Sequence, residues 1–251
     1  MNIFYLIWQY LIAFPLTIVL TVIASLLVII LSPIFGHRIV GSVIPQAWGW
    51  LFCRLFLLPV KVEGRENLDP KQAYLFVGNH QSLFDIFLLE GFLGQETKWM
   101  LKKELSRIPI FGYACKCAGF VYVTRSSRSV ATSMSKADSS LREHNSLAVF
   151  AEGTRSLTGK VGAFKRGAFI LAHDQNLPIV PLSINGCYET MPKGRAYVRR
   201  HPLRLVIHKP ILPEPDNPDD LPKRRLPAGK GHMRRLHPAV FLKKEAHPVP
   251  S

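Results

Sequence analysis

The chain has 251 residues, 32 Lys/Arg against 17 Asp/Glu, and a formal charge of +15. Its four cysteines, Cys53, Cys115, Cys117 and Cys187, are too few and too irregularly spaced for a disulfide framework or a paired Cys-x-x-Cys zinc site, so reduced interior thiols and no metal are expected. No internal repeat or Gly/Ser linker divides the chain, which leaves one soluble-type domain with an N-terminal attachment.

No Asp, Glu, Lys or Arg precedes Arg38, and Leu16 to Ser32 is an uncharged run of 17 residues between Pro15 and Pro33. That is near the shortest length that crosses a hydrocarbon core of about 30 Å. A basic n-region and a small-residue cleavage site are both missing, so a removable signal peptide is not expected. The run reads as a transmembrane or re-entrant helix. Arg38, Arg54, Lys61 and Arg65 behind it place the downstream domain on the cytoplasmic side of a membrane, in a bacterium the inner one. A second apolar stretch, Ser42 to Val60, carries Trp48, Trp50 and a mid-segment Arg54 and reads as an interfacial helix. The expected divisions are thus an anchor over 1–59, a domain over 60–221 and a tail over 222–251.

After Val60 short β-rich runs alternate with helical ones. Ala73 to Asn79, Gly119 to Thr124, Ser146 to Glu152, Pro178 to Ile184 and Leu203 to His208 are predicted strands, several apolar enough to be buried on both faces. Leu83 to Leu93 is predicted helical, as is Phe164 to Gln175. Ser126 to Glu143 opens with hydroxyl caps and puts Val130, Met134, Ala137 and Leu141 on one face. The alternation predicts an α/β fold, a mixed central sheet flanked by helices, in which ligands gather at the carboxyl ends of strands. The tail, with eight Lys/Arg against Glu245 alone, carries +7 of the total charge and the remainder +8. Rich in proline and without an apolar period, it is expected to be disordered or loosely attached. With such an anchor, anionic lipid headgroups are the expected counterpart of the basic charge, and nucleic acid is not.

The chemistry-bearing residues fall at predicted strand ends. In "NHQSLFD" a helix starting just after His80 lets Asp85, in its first turns, fold back to the imidazole. The carboxylate then selects the tautomer and leaves the other ring nitrogen as a general base for an acceptor hydroxyl. A histidine that merely caps a helix has the same spacing. In "FAEGTRS" Arg155 offers a donor fork suited to a phosphate monoester, Gly153 admits close backbone approach, and Glu152 either orients Arg155 or accepts from a substrate hydroxyl. In "KKELSRIPIFG" Lys102 or Lys103 adds a second charge for the same phosphate or is simply solvated. Ser82 lies inside the first block, but no G-x-S-x-G is present, so no nucleophile elbow is expected.

In this order "NHQSLFD", "KKELSRIPIFG" running on to Arg125, "FAEGTRS" and "LPIVPLSI" resemble the glycerolipid acyltransferase family, which includes 1-acyl-sn-glycerol-3-phosphate acyltransferases. "FKRGAF" and "MPKG" are smaller matches, and the resemblance covers Val60 to Ile211. It implies a glycerol-phosphate acyltransferase-like fold. It also implies transfer of an acyl chain from acyl-CoA or acyl-carrier protein, as co-substrate rather than cofactor, to the sn-2 hydroxyl of lysophosphatidate. On this resemblance His80 is the base and Asp85 its orienter. Arg155, Glu152, Gly153, Thr154 and Lys102 bind the phosphate, and the block containing Val180 and Pro181 serves the acyl-donor or acyl-chain side. Thr124 stands where many relatives carry an acid before the arginine, and the basic tail replaces a common amphipathic helix, as a divergent or frame-altered C-terminus would. Another lysolipid acceptor such as a lyso-ornithine lipid, a thioester hydrolase, and a non-catalytic basic membrane-surface protein are the competing readings.

Overall fold

The computed structural model describes residues 2–123, 146–165 and 167–212. Arg125, the helix predicted over Ser126 to Glu143 and the tail from Pro222 lie outside the described residues. Helix α1 runs Ile3–Phe35, with a π-helical turn over Gln9–Ala13. Pro15 occupies the opening turn of its α-helical part, and Pro33 falls so near the end that the helix continues to Phe35 and stops at Gly36, φ 82°. Helix α2, His37–Leu55, follows directly.

Both ends of α1 are tied to the rest of the protein. Near its start the Gln9 side chain is fully buried and pairs with the Val198 backbone in both directions, 2.9 Å from Nε2 to the carbonyl and 2.7 Å from the N–H to Oε1. Tyr5 Oη and Trp8 Nε1 donate to the Phe56 and Leu55 carbonyls. Beyond its far end Arg38 bonds Glu96 at 2.8 Å, and Lys98 Nζ donates to the His37 carbonyl at 3.2 Å. Along its outward side Ile18, Val19, Ile23, Leu26, Leu27 and Ile30 are exposed.

Helix α2 crosses helix α3, Phe84–Phe92, at a glycine pair. A Cβ on Gly49 would stand 2.7 Å from the Gly91 nitrogen and 2.9 Å from the Phe87 carbonyl oxygen, so no larger residue allows this approach. Rings fill the space on either side: Phe52 stacks on Phe87 at 3.6 Å, Trp48 and Phe84 meet both rings edge-on, and Phe56 stacks against Phe52 at 5.7 Å. Trp50, on the outer side of α2, is exposed and carries the Arg54 guanidinium over its ring at 5.3 Å.

Seven strands form one mixed sheet: β1 (Val60–Glu63), β2 (Leu75–Gly78), β3 (Thr97–Lys102), β4 (Val121–Val123), β5 (Ser146–Phe150), β6 (Ile179–Asn185) and β7 (Leu203–Ile207), in the order β1-β7-β6-β2-β5-β3-β4. Strands β6, β2, β5, β3 and β4 run parallel, β7 runs antiparallel to β6, and β1 runs with β7. Phe76, Ala148, Val180 and Leu182 face the α2 and α3 side in the larger core, while Leu75, Val77, Leu147 and Ile179 face helix α5, Gly167–Asp174. Burial on both faces explains why β2, β5 and β6 read as continuous apolar runs. The short helices α4 (Phe111–Cys117) and α6 (Cys187–Thr190) are the remaining described α-helices. Cys53, Cys115 and Cys187 are buried free thiols, and Cys117 is half-buried.

Candidate active site

Strand β2 ends at Gly78, and Asn79 fixes what comes next. Its side-chain amide donates to the Ile184 carbonyl at 2.9 Å and accepts from the Ile184 N–H at 2.8 Å, which locks the end of β2 to β6. The backbone of His80 is then held by the segment after β5: its N–H donates to Glu152 Oε1 at 2.8 Å, and its carbonyl accepts from the Ser156 N–H at 2.8 Å. The imidazole lies flat on Phe150, 3.9 Å between centroids with planes 5° apart. With backbone and ring plane both fixed, one rotamer is selected.

In that rotamer Nδ1 is 2.8 Å from Asp85 Oδ2. The aspartate sits in the first turn of α3 with no exposed surface. The same Oδ2 accepts from the Gln81 N–H at 2.5 Å and the Ser82 N–H at 2.8 Å. With two backbone N–H donors on it Oδ2 acts as an acceptor, so the contact with the ring is made with the proton on Nδ1, and the Nε2 lone pair is left for a substrate proton. Asp85 Oδ1 is buried without a hydrogen-bond partner among the described groups. Beside the carboxylate lies the Cys187 thiol, which burial first, and Asp85 second, raise well above the ordinary thiol range, so it stays protonated. Ser82 Oγ accepts from the Phe84 N–H at 3.1 Å and donates to the Met191 carbonyl at 2.7 Å. Bonded at both ends, that hydroxyl ties the start of α3 to Met191 and is not available as a nucleophile.

Glu152 is the hinge between two parts of the site. Oε1 takes the His80 N–H, Oε2 takes the Gly162 N–H at 2.8 Å, and the residue is buried. Each oxygen thus holds one backbone donor, and Glu152 also borders a cationic pocket.

Beyond Glu152 lies a pocket of about 490 Å³ walled by Thr154, Arg155, Ser156, Lys160 and Lys193 among others. Three cations on one concave wall suit a dianionic phosphate. Gly153 turns the chain there with φ 70°, and the Lys165 ammonium lies so close that a Cβ would stand 2.7 Å from it. Lys102, by contrast, stands exposed at the end of β3, two strands away from β2 in the sheet. Val180 and Pro181 are buried within β6, Val180 in the larger core, and neither is among the residues that wall a second, apolar pocket of about 280 Å³. That pocket is bounded by Val28 of α1, Trp48 of α2, Phe87 of α3 and Phe111 and Cys115 of α4, and it reaches Leu83 in the His80–Asp85 loop. The loop therefore touches an apolar pocket through Leu83 and a cationic one through Glu152 and Ser156.

Lys160 and Lys193 were not singled out from sequence as ligands, although "MPKG", which holds Lys193, was noted. The positional role of Asn79 was missed as well, and only its place immediately before His80 hinted at it.

Residues 59–185 match the model of a protein family described as Acyltransferase. A chloroplastic 1-acyl-sn-glycerol-3-phosphate acyltransferase of Brassica napus is 36% identical over 153 residues, 60% of this chain and 44% of the relative. One from Limnanthes douglasii is 30% identical over 203 residues, 80% of this chain and 72% of the relative. This chain thus spans less than half the length of the chloroplastic relative. The crystal structure of the 1-acyl-sn-glycerophosphate (LPA) acyltransferase PlsC from Thermotoga maritima superposes with a TM-score of 0.71 at 29% identity, over 94% of this chain and 95% of that one.

Proposed function

The chain belongs to the acyltransferase family, and from that premise we propose that it transfers an acyl group from a thioester, acyl-CoA or acyl-carrier protein, to the free sn-2 hydroxyl of 1-acyl-sn-glycerol 3-phosphate, giving phosphatidate for phospholipid synthesis. The observation that carries the reading is the His80–Asp85 pair, held at 2.8 Å in a loop that reaches both a cationic and an apolar pocket. In the reaction His80 Nε2 takes the hydroxyl proton as the oxygen attacks the thioester carbonyl. Asp85 stabilises the imidazolium that forms, the C–S bond breaks, and the imidazolium returns the proton to the leaving thiolate. A thioester has a good leaving group, so no acyl-enzyme is needed. Arg155, assisted by Lys160 and Lys193 and by the backbone at Gly153 and Thr154, takes the phosphate. Glu152 sets the distance between phosphate and base by holding His80 and Gly162 at once. The apolar pocket takes an acyl chain, and in this scheme Lys102, Val180 and Pro181 are peripheral.

We take residues 1–59 as the membrane attachment and 60–221 as the acyltransferase unit, on the cytoplasmic face of the membrane. Because α1 is bonded to this domain near its start, and the first residues of α2 bond the same domain just past its end, its exposed apolar side lies along one leaflet rather than crossing to the other.

The test is an acceptor panel with purified protein in detergent: lysophosphatidate against a phosphate-free lysolipid, with each thioester. Wild type should acylate lysophosphatidate, and Arg155→Ala should weaken that acceptor selectively. Release of free fatty acid without any acceptor would instead identify a hydrolase.

A further inference from the structure

Residues 192–201 read Pro-Lys-Gly-Arg-Ala-Tyr-Val-Arg-Arg-His, four Lys/Arg with no acid. Only Lys193 of this segment belongs to the phosphate pocket. The rest has a different neighbour. Gln9, buried within the apolar helix α1, takes both backbone groups of Val198, and Tyr10 Oη donates to the Ala196 carbonyl at 3.4 Å. Around this junction α1 turns Phe4, Ile7 and Leu11 outward, Phe4 with 74% and Leu11 with 72% of their surface exposed, while Gln9 and Ala13 point in. The arginines are arrayed beside it. Arg195 and Arg199 flank the Tyr197 ring at 5.3 and 5.9 Å. Arg200 Nε donates to the carbonyl of exposed Leu57 at 3.1 Å, just past the end of α2, where Arg54 covers Trp50.

A buried amide that binds a peptide backbone in both directions is a costly feature to place in an apolar helix, because either half left unpaired costs the full desolvation of a polar group. Its effect is to hold an arginine-rich segment at a fixed height beside a protruding apolar helix end. Cations and aromatics bordering an exposed apolar surface are the pattern of a membrane–water boundary.

We propose that Arg195, Arg199 and Arg200 form a headgroup-binding rim for anionic phospholipid of the bilayer, set by Gln9 at the depth where phosphates lie when Phe4, Ile7 and Leu11 enter the acyl region. The proposal rests on the membrane-attachment reading of residues 1–59. An acidic protein is the less fitting occupant, since it would leave the adjoining apolar residues exposed.

The test is flotation of the purified full chain with vesicles of phosphatidylcholine alone or of phosphatidylcholine with phosphatidylglycerol. Wild type should bind the anionic vesicles more tightly, and added salt should reduce the difference. The triple variant Arg195→Ala, Arg199→Ala, Arg200→Ala should lose about 100-fold in affinity for anionic vesicles, roughly fivefold per arginine. Its binding to neutral vesicles should not change. The matching triple Arg→Lys variant, which keeps the charge but not the guanidinium fork, should retain most of the anionic preference. Equal binding of wild type to both vesicles overturns the rim while leaving the membrane reading intact, as does wild-type behaviour of the triple alanine variant. No binding to either vesicle overturns both.

Discussion

Replacing Asp85 by Asn tests whether the aspartate acts through its charge or only through its shape. The amide oxygen can keep the Gln81 and Ser82 N–H bonds that Oδ2 now accepts, 2.5 and 2.8 Å long, so the loop keeps its path. The charge-assisted bond to an imidazolium is lost. At about 1.5–3 kcal/mol for such a bond, and 1.36 kcal/mol per tenfold in rate, that alone lowers kcat roughly 10- to 150-fold. Freeing the imidazole to take the wrong tautomer adds to the loss, so the fall should lie between roughly 10²- and 10⁴-fold. The new NH2 group takes the place of Oδ1, which is buried without a hydrogen-bond partner among the described groups. An unmet donor there costs about 1–3 kcal/mol of stability, a melting point lowered by roughly 2–4 °C per kcal/mol for a chain of this size. The assay follows thiol release from acyl-CoA with lysophosphatidate varied, beside a thermal melt. Wild-type kcat in a folded Asp85→Asn protein would refute the reasoning, as would a rise in KM with kcat unchanged.

Glu152→Gln can accept only one of the two backbone N–H groups now bonded to the carboxylate, His80 and Gly162; it should cost about 1–3 kcal/mol in stability and lower kcat by displacing His80, measurable by melting and steady-state kinetics together. Lys193→Ala should raise KM for lysophosphatidate with little effect on kcat, since the residue faces the phosphate pocket and not His80; a change confined to kcat would remove it from the phosphate site. Gly91→Ala places a methyl against the backbone of Gly49 and Trp50 and should destabilise by at least about 1–3 kcal/mol, seen as a lower melting point or loss of soluble protein. Glu90, buried against the Trp99 indole N–H that it accepts, has its carboxyl pushed up to about 7 from an ordinary 4.5, by burial above all. A folded-state pKa above the unfolded one gives stability that is complete below about pH 4.5 and is lost as pH rises through about 7, by about 3 kcal/mol in all; melting points across that window should fall more steeply for wild type than for Glu90→Gln.

What could be read in the sequence was whatever lay close together along the chain. His80 and Asp85 share one seven-residue block, so a strand end and a helix start were enough to predict their bond. Strands β2, β5, β6 and β7 were legible because burial demands apolar residues. Strands β1 and β3 were not: Val60–Glu63 carries Lys61 and Glu63, which pair with each other at 2.9 Å. Thr97–Lys102 carries Lys98, which is buried and bonded to a carbonyl at the start of α2. At four residues β1 is too short for its alternation to stand out, and in β3 a charge occupies a buried position. Pro33 suggested a helix end that in fact falls at Phe35, because a proline so near the C-terminus costs little. Glu152 and Arg155 looked like one functional group from sequence. The contact of Glu152 with the His80 backbone, 72 residues earlier, is tertiary and has no local signal in the sequence. The joining of Gln9 to Val198 spans 189 residues, and no local pattern announces it.

The central claim is that His80 is the base that activates a lysolipid hydroxyl. It is tested most directly by acyl transfer from a labelled thioester to lysophosphatidate, comparing wild type with a His80→Ala protein of native circular dichroism. Wild type should form phosphatidate, and the variant should lose roughly 10²- to 10⁴-fold or more in kcat with lysophosphatidate still bound. Turnover of the His80→Ala protein at the wild-type rate would contradict the account.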